Sequence, residues 1–257
     1  MRGCGFIEDP SEIVEAELYA RNARGLIGNT TSVPESFTWV VTGAVPRARD
    51  QASTSSCVGQ ALAASIEIRS AIQGHRVVPS AKAIYDVARL MDTRNGVLVD
   101  AGSQPSRAIE GVKEYGLVSE SRWPFSVANI DVPPPLDVFH HGCDAMLGQH
   151  YRITPGRGAA QAIREALVKG YIPIFAMTVD EAYDQYDGSN VYRAPSGRVL
   201  GRHMQAIVGY YCETFEVLNS WGPAWGRDGI ARVASGIIES SDVSSILVPT
   251  IVPLSVS

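Results

Sequence analysis

Three residues of this 257-residue chain have the side chains needed for thiol catalysis: Cys57, His203 and Asn219. Cysteine is a strong nucleophile as the thiolate, and an imidazole whose pKa lies near neutrality is a suitable base for it. An asparagine carbonyl oxygen can orient that imidazole without adding charge, which leaves a thiolate–imidazolium pair intact. The sequence therefore predicts a nucleophile, a base and an orienting group.

Cys57 precedes a pattern that predicts a helix. Val58, Leu62 and Ile66 recur at four-residue intervals, and Gly74 is a natural stop. The unpaired N–H groups and the positive dipole end of a first helical turn both favour a thiolate there. A free cysteine is more often a small buried hydrophobe, so the assignment depends on a base supplied elsewhere.

His203 and Asn219 are predicted to supply that base and its orienting group. His203 stands immediately before a predicted strand, Met204–Tyr211, and Asn219 stands immediately after a second, Phe215–Leu218. An antiparallel hairpin brings its two open ends together. We therefore expect His203 and Asn219 to be neighbours although they lie sixteen residues apart.

Composition narrows the functional classes. Apolar residues make up 45% of the chain, enough for a real core, and the net charge is −5. Nucleic-acid binding would require a basic stripe, so no nucleic-acid partner is expected. The remaining histidines have no companions at metal-ligand spacing, which predicts no metal site and no cofactor. They are His75, His140, His141 and His150.

The ends of the chain and its cysteines suggest a compartment. The first residues fit no signal peptide, and the apolar runs Tyr171–Val179 and Ile246–Leu254 are too short to span a bilayer. We therefore expect no membrane partner and a cytoplasmic or virion-associated protein. Free thiols in a reducing compartment are favoured over disulfides. The cysteines are Cys4, Cys57, Cys143 and Cys212.

The remaining patterns predict an α+β protein of two lobes. Helices are expected at Ser80–Asp92 and Pro105–Tyr115, and strands dominate the second half. We expect a helical lobe at about 50–130, a β-barrel-like antiparallel lobe at about 140–235, and an active-site cleft between them. Residues 1–32 are interpreted as an N-terminal extension or short pro-segment, with one helix over Ser11–Ala23, ahead of a peptidase domain at 33–257.

These features together resemble the papain-like cysteine peptidases, peptidase family C1. Four segments carry the resemblance in the order of that family: residues 33–45, Asp50-Gln51 with Cys57 six residues later, residues 201–210, and Asn219-Ser220-Trp221-Gly222 continuing to Gly229. Cys57 and His203 are 146 residues apart, within the roughly 130–150 expected of papain relatives. The resemblance covers about residues 33–235.

The resemblance implies a role for each matching residue. Cys57 would attack the scissile carbonyl as a thiolate, and His203 would deliver a proton to the leaving amine. Asn219 would orient His203, and Trp221 would shield their hydrogen bond from water. Gln51 and the Cys57 N–H would form the oxyanion hole, and hydrolysis would proceed through an acyl-enzyme.

The resemblance also implies residues that bind an extended polypeptide. Gly102 and Ser103 match the glycine-rich stretch whose backbone pairs with substrate. Pro105, Met177 and Met204 match positions of the main specificity pocket, which implies an apolar side chain two residues before the scissile bond. The alternative is that these apolar residues simply pack the lobe interface.

Several positions depart from the family pattern. Thr54 and Ala101 stand where the family has a disulfide near the nucleophile, which again fits a reducing compartment. Ser55 replaces the usual glycine and Val58 the usual tryptophan. In lacking a signal peptide and this disulfide, the sequence resembles the bacterial, archaeal or phage members that have no long pro-region.

Alternative functions stay open at this point. Substitutions beside Cys57 fit a catalytically weak or inactive binding protein on the same fold. A thioester intermediate also serves an acyltransferase or an isopeptidase. A further hypothesis is that residues 1–32 lie over the cleft and inhibit the enzyme.

Overall fold

The structure is a computed structural model that describes residues 2–8, 32–93, 95–140 and 145–253. Its helices are α1 (Cys57–Ile72), α2 (Ala81–Asp92), α3 (Pro105–Tyr115), α4 (Asp137–His140), α5 (Ala159–Val168), α6 (Glu181–Asp184) and α7 (Ser235–Ile238). Its strands are β1 (Ser36–Thr38), β2 (Ala145–Arg152), β3 (Ile174–Asp180), β4 (Val199–Tyr211), β5 (Thr214–Leu218), β6 (Ile230–Ala234) and β7 (Val243–Pro253). The helix predicted at Ser11–Ala23 lies outside the described residues.

Helix α1 is the centre of the helical half. Its prediction from the apolar periodicity is confirmed, and nearly all of its residues are buried. A helix that is apolar on most sides is typically surrounded by other elements. Here α2 packs on one side and β4 on another. Gly59 allows the first of these contacts, because a Cβ there would lie 2.5 Å from the Ala81 carbonyl oxygen.

The two other helices predicted in the first half are also confirmed. α2 begins after Ser80, whose hydroxyl accepts a hydrogen bond from the Ala83 N–H at 2.9 Å. This is the bond expected of an N-cap serine. α3 begins at Pro105 and ends at Gly116, whose φ of +82° suits glycine.

The strands form one antiparallel sheet in the order β2-β7-β3-β4-β5-β6, with β1 paired to the far end of β4. This arrangement, together with the helical half, confirms the α+β class. The sheet also contains two strands, β2 and β7, that the sequence analysis did not predict. β7 includes much of the apolar run beginning at Ile246, and it lies between β2 and β3.

One strand boundary was wrong. β4 begins at Val199, so His203 lies inside the strand rather than before it. Its register with β3 explains the difference, because Val179 pairs with Gly201 and Met177 with His203. The glycine and the arginine at 201–202 hid the strand from a search for apolar alternation.

The helical half and the sheet share a continuous core and meet beside the segments that contain Gln51 and Ser220. The Gln51 N–H donates to the Ser220 carbonyl at 2.8 Å, and Ser65 Oγ donates to the Ile172 carbonyl at 2.7 Å. The first bond holds the turn before α1 against the segment after β5, and the second holds the middle of α1 against the residues before β3. Within the described ranges, no helix has the length and apolar character needed to cross a membrane.

Candidate active site

Cys57 is the first residue of α1 and is fully buried. The turn before it is held by hydrogen bonds. The Thr54 N–H donates to the Gln51 carbonyl at 3.1 Å, and the Ser55 N–H donates to Asp100 Oδ1 at 2.8 Å. The turn therefore places the sulfur at the end of the helix that favours negative charge.

Two opposing influences act on the pKa of the Cys57 thiol. Burial raises this pKa above its ordinary value and is the larger influence. The backbone N–H groups of Met204, Gly5 and Val58 bond to the sulfur and lower the pKa. With the sulfur covered in this way, the neutral thiol is favoured over the thiolate.

His203 and Asn219 meet at the open end of the β4–β5 hairpin. His203 Nε2 lies 2.7 Å from Asn219 Oδ1, which also accepts the Ser220 N–H at 2.7 Å. Because Oδ1 is only an acceptor, Nε2 carries a proton, and Nδ1 is the ring nitrogen left for the thiol. Nδ1 has no hydrogen-bond partner in the described part of the chain.

Burial also dominates the pKa of His203. It lowers that pKa from 6.5 to about 4, and the hydrogen bond to Asn219 only partly opposes the change. The neutral imidazole is therefore favoured, as the neutral thiol is at Cys57. The structure thus holds the two groups in their uncharged forms.

Trp221 forms an aromatic wall beside the imidazole. Its ring stacks on His203 with centroids 4.5 Å apart and an interplanar angle of 28°. Trp225 and Tyr183 pack edge-on against Trp221 at 5.3 and 5.8 Å. Trp221 therefore covers one face of the imidazole, and the shielding of the His203–Asn219 hydrogen bond from water stays a prediction.

Gln51 is fully buried and oriented by two bonds. Its Oε1 accepts from Ser220 Oγ at 2.6 Å, and its Nε2 donates to the Thr54 carbonyl at 2.7 Å. The same Nε2 donates to the carbonyl oxygen of Gly3 at 3.1 Å. A peptide carbonyl thus occupies the place predicted for an oxyanion.

Residues 2–8, here called the N-terminal segment, lie in the cleft. The Ser103 N–H donates to the Gly5 carbonyl at 2.9 Å, and the Ile7 N–H donates to the Ser103 carbonyl at 3.1 Å. Phe6 is the residue bridged to Ser103, and the pairing is parallel. The segment therefore pairs with the edge at which the sequence analysis placed an extended substrate.

Charged residues hold both ends of the N-terminal segment. Arg2 binds the carbonyl and the carboxylate of Asp184, and its guanidinium lies 5.5 Å from the centroid of the Trp221 ring. Glu8 pairs with Arg202 at 2.6 Å. The segment therefore crosses the cleft between two ion pairs, each made to the β half.

Two glycines allow the close approach of the N-terminal segment. A Cβ at Gly3 would overlap the carbonyl oxygen of Thr54, and a Cβ at Gly5 would overlap that of Ser55. The sequence analysis did not single out these glycines as site residues. The available signal was the pair of glycines flanking Cys4, between Arg2 and Glu8.

The predicted pocket residues divide between the two faces of the sheet. Met177 pairs with His203 and Ala176 pairs with Met204, and directly opposed residues share a face. Met177 therefore shares the face of His203, and Met204 lies on the opposite face of the sheet. The assignment of both residues to a substrate pocket stays a prediction.

Three of the other predicted substrate positions are near one another in the chain. Gly102 and Ser103 form the edge that meets the N-terminal segment, and Pro105 begins α3 two residues after Ser103. Pro105 and Met204 are both buried. Gly102 has φ of +99°, and a Cβ there would overlap the Gly5 carbonyl, so this edge requires glycine.

The described cysteines Cys4, Cys57 and Cys212 are free thiols, whereas Cys143 lies outside the described residues. Burial and the nearby Cys57 and Asp184 raise the pKa of the Cys4 thiol to about 12. Over the ranges that the structure describes, no cluster of three His, Cys, Asp or Glu side chains could hold a metal ion.

Comparison with known sequences identifies related proteins. A model of the papain family of cysteine proteases matches residues 33–249. An uncharacterised peptidase C1-like protein of Acanthamoeba polyphaga mimivirus is 25% identical over 209 residues, which cover 76% of this chain and 67% of that protein. Fruit bromelain of Ananas comosus is 25% identical over 88% of this chain, which spans 62% of its length.

Solved structures share the fold. Xylellain, a cysteine protease from Xylella fastidiosa, superposes with a TM-score of 0.76 at 21% identity over 97% of this chain and 96% of that one. The bromelain protease from Ananas comosus, in complex with the E64 inhibitor, gives a TM-score of 0.67 at 24% identity over 85% of this chain and 99% of that one.

Proposed function

Because this chain belongs to the papain family of cysteine proteases, we propose that it is a cysteine endopeptidase that uses Cys57 as its nucleophile. The observation that carries the proposal is the 2.7 Å contact between His203 and Asn219. It fixes one ring nitrogen and leaves the other for the thiol. Cys57 at the start of α1 and the donor of Gln51 complete the set needed for acyl transfer.

The proposed reaction has two halves. Cys57 transfers its proton to His203 Nδ1, and the thiolate attacks the scissile carbonyl carbon. Negative charge moves to the carbonyl oxygen, where Gln51 Nε2 and the Cys57 N–H donate to it. The imidazolium then protonates the leaving amine, and the thioester forms. In the second half, His203 takes a proton from water, the resulting hydroxide attacks the thioester, and Cys57 leaves as the thiolate.

The N-terminal segment is proposed to hold the enzyme in a latent state. Its Gly3 carbonyl accepts a hydrogen bond from Gln51 Nε2, and its Gly5 backbone packs against Ser55 in the turn before Cys57. We therefore divide the chain into an inhibitory arm, residues 1–32, and a peptidase domain, residues 33–257. Activity then requires the segment to leave the cleft, by cleavage or by reversible opening.

The proposed substrate is an extended polypeptide. The pairing of residues 5–7 with Ser103 gives an example of an extended backbone at that edge. Pro105, Met177 and Met204 are apolar, which favours an apolar side chain two residues before the scissile bond. The mechanism needs Cys57 as a free thiol, so a reducing compartment such as the cytoplasm, or a virion, suits the protein.

Titration with an irreversible peptidyl epoxide tests the proposed nucleophile. Wild type under reducing conditions should take up one equivalent per chain and should hydrolyse an unfolded protein into fragments with free termini. Cys57→Ser should lose both properties because its hydroxyl is far less nucleophilic than a thiolate. The matched control is Cys212→Ser, which removes the partly exposed thiol at the β4–β5 turn and should change neither. Labelling that persists in Cys57→Ser would disprove the assignment.

Acid should open the latent state. Burial lowers the pKa of His203 to about 4. In wild type, an open site that forms a thiolate–imidazolium pair only moves the Cys57 proton to His203 and takes up none from water, so the test uses Cys57→Ser, whose hydroxyl keeps its proton. In this variant the pKa of the imidazole should return to about 6.5 when the N-terminal segment leaves, and the open state then binds more protons than the covered state between these two values. The stability of the covered state is therefore complete above pH 6.5 and falls as the pH drops towards 4, by up to about tenfold in the equilibrium constant per pH unit.

Hydrogen exchange of residues 2–8 in the full-length Cys57→Ser chain, normalised to the intrinsic rate at each pH, measures this effect. The protection factor should fall between pH 6.5 and 5. The control adds His203→Gln to the same chain, because glutamine cannot titrate in this range. An equal fall in that control would assign the pH dependence to groups other than His203.

A further inference from the structure

A hydrogen-bonded bridge joins the turn before Cys57 to the edge that pairs with the N-terminal segment. Asp100 Oδ1 accepts two hydrogen bonds at 2.8 Å, one from the Ser55 N–H and one from the Tyr85 hydroxyl. The Tyr85 oxygen in turn accepts the Gly102 N–H at 3.0 Å. The bridge thus consists of two side chains and two backbone N–H groups.

Each end of the bridge carries a group of the proposed site. At one end, Ser55 follows Thr54, whose carbonyl orients Gln51 Nε2 at 2.7 Å. At the other end, Gly102 precedes Ser103, whose N–H and carbonyl pair with an extended backbone. The oxyanion donor and the substrate edge therefore depend on the same two side chains.

The bridge is anchored in rigid structure. Tyr85 is fully buried in α2, and the Arg89 guanidinium lies 3.9 Å from its ring centroid. A Cβ at Gly59 would lie 3.0 Å from the Tyr85 Cβ, so α1 packs directly against this side chain. Hydrogen bonds to a carboxylate are stronger than bonds between neutral groups, which suits Asp100 to join two loops.

We propose that Asp100 and Tyr85 are positioning residues, which set the distance between the oxyanion donor and the substrate edge. The inference rests on the proposed peptidase function. The resemblance to papain-like peptidases implies a disulfide in this region, and Thr54 and Ala101 cannot form one. The bridge connects the same two loops by hydrogen bonds, so its strength does not depend on the redox state of the surroundings.

Hydrogen exchange in the full chain tests the bridge without any need for hydrolysis. Asp100→Ala should make the Ser55 and Gly102 amides exchange at least about tenfold faster. The Ser55 N–H loses its acceptor, and the Gly102 N–H keeps as its acceptor a Tyr85 hydroxyl that Asp100 no longer orients. Asp100→Asn keeps an oxygen acceptor and should retain most of the protection. The control is Asp92→Ala, which removes a partly exposed carboxylate paired with Arg107. Unchanged exchange in Asp100→Ala would overturn the proposal.

Kinetics of peptide hydrolysis test the positioning role itself. Asp100→Ala should lower kcat and raise KM together, whereas Tyr85→Phe should mainly raise KM because it frees the substrate edge. The double variant should lose less than the product of the two single losses, since both act through one bridge. Two single losses that multiply in the double variant would contradict the shared bridge. A loss in Asp100→Asn equal to that in Asp100→Ala would contradict it as well. A wild type that is inactive would count against the proposed function, and the exchange result would still decide the bridge.

Discussion

Replacing His203 by alanine should lower the rate of peptide hydrolysis by about 10⁴- to 10⁶-fold, as removal of the base does in serine peptidases. The physical reason is the loss of both proton transfers, one from Cys57 and one to the leaving amine. Initial rates on an unfolded protein, with equal concentrations of folded enzyme, measure the loss.

The control for this variant is His150→Ala, which removes a partly buried histidine of β2 beside Lys113. It should keep the wild-type rate. Thermal unfolding of both variants shows whether the alanine at position 203 merely unfolds the protein. A folded His203→Ala enzyme that keeps a tenth of the activity would exclude His203 as the base.

Replacing Gly5 by alanine should release the N-terminal segment and accelerate labelling of Cys57 by about 5- to 150-fold. The added Cβ would overlap the backbone of Ser55, which the bond to Asp100 holds in place. Overpacking of this kind costs about 1–3 kcal/mol, and leaving the cleft relieves it. The measurement is the second-order rate constant with a peptidyl epoxide in the full chain.

Gly236→Ala is the matched control for the Gly5 variant. It makes the same chemical change in α7, where a Cβ would meet no atom within 4 Å. Its labelling rate should equal that of wild type. If Gly5→Ala is labelled no faster than this control, the N-terminal segment does not limit access to Cys57.

The sequence correctly predicted those placements that depend on residues close by in the chain. Cys57 begins a helix because the apolar positions that follow it recur with helical spacing. His203 and Asn219 meet because a two-residue turn joins their strands. These relations survive a wrong strand boundary, since the hairpin register depends on the turn and not on the first residue of β4.

Contacts between distant segments were beyond sequence reasoning. β7 joins the sheet because β2 and β3 offer partners far away in the chain, which no local pattern reports. The opposite faces of Met177 and Met204 follow from the register of β3 with β4, which was not known in advance. The N-terminal segment pairs with Ser103 through backbone groups. Because nearly every residue has these groups, the sequence contains no signal for this pairing.

The amino-acid sequence by itself determined the chemistry of this protein: a thiol at a helix start, an imidazole, an amide to orient it, and a second amide six residues before the thiol. Side-chain type and short-range spacing suffice for that. Only the tertiary structure decided which protonation states the site favours. Burial in the folded chain favours the neutral forms of Cys57 and His203, because removal of water penalises charge.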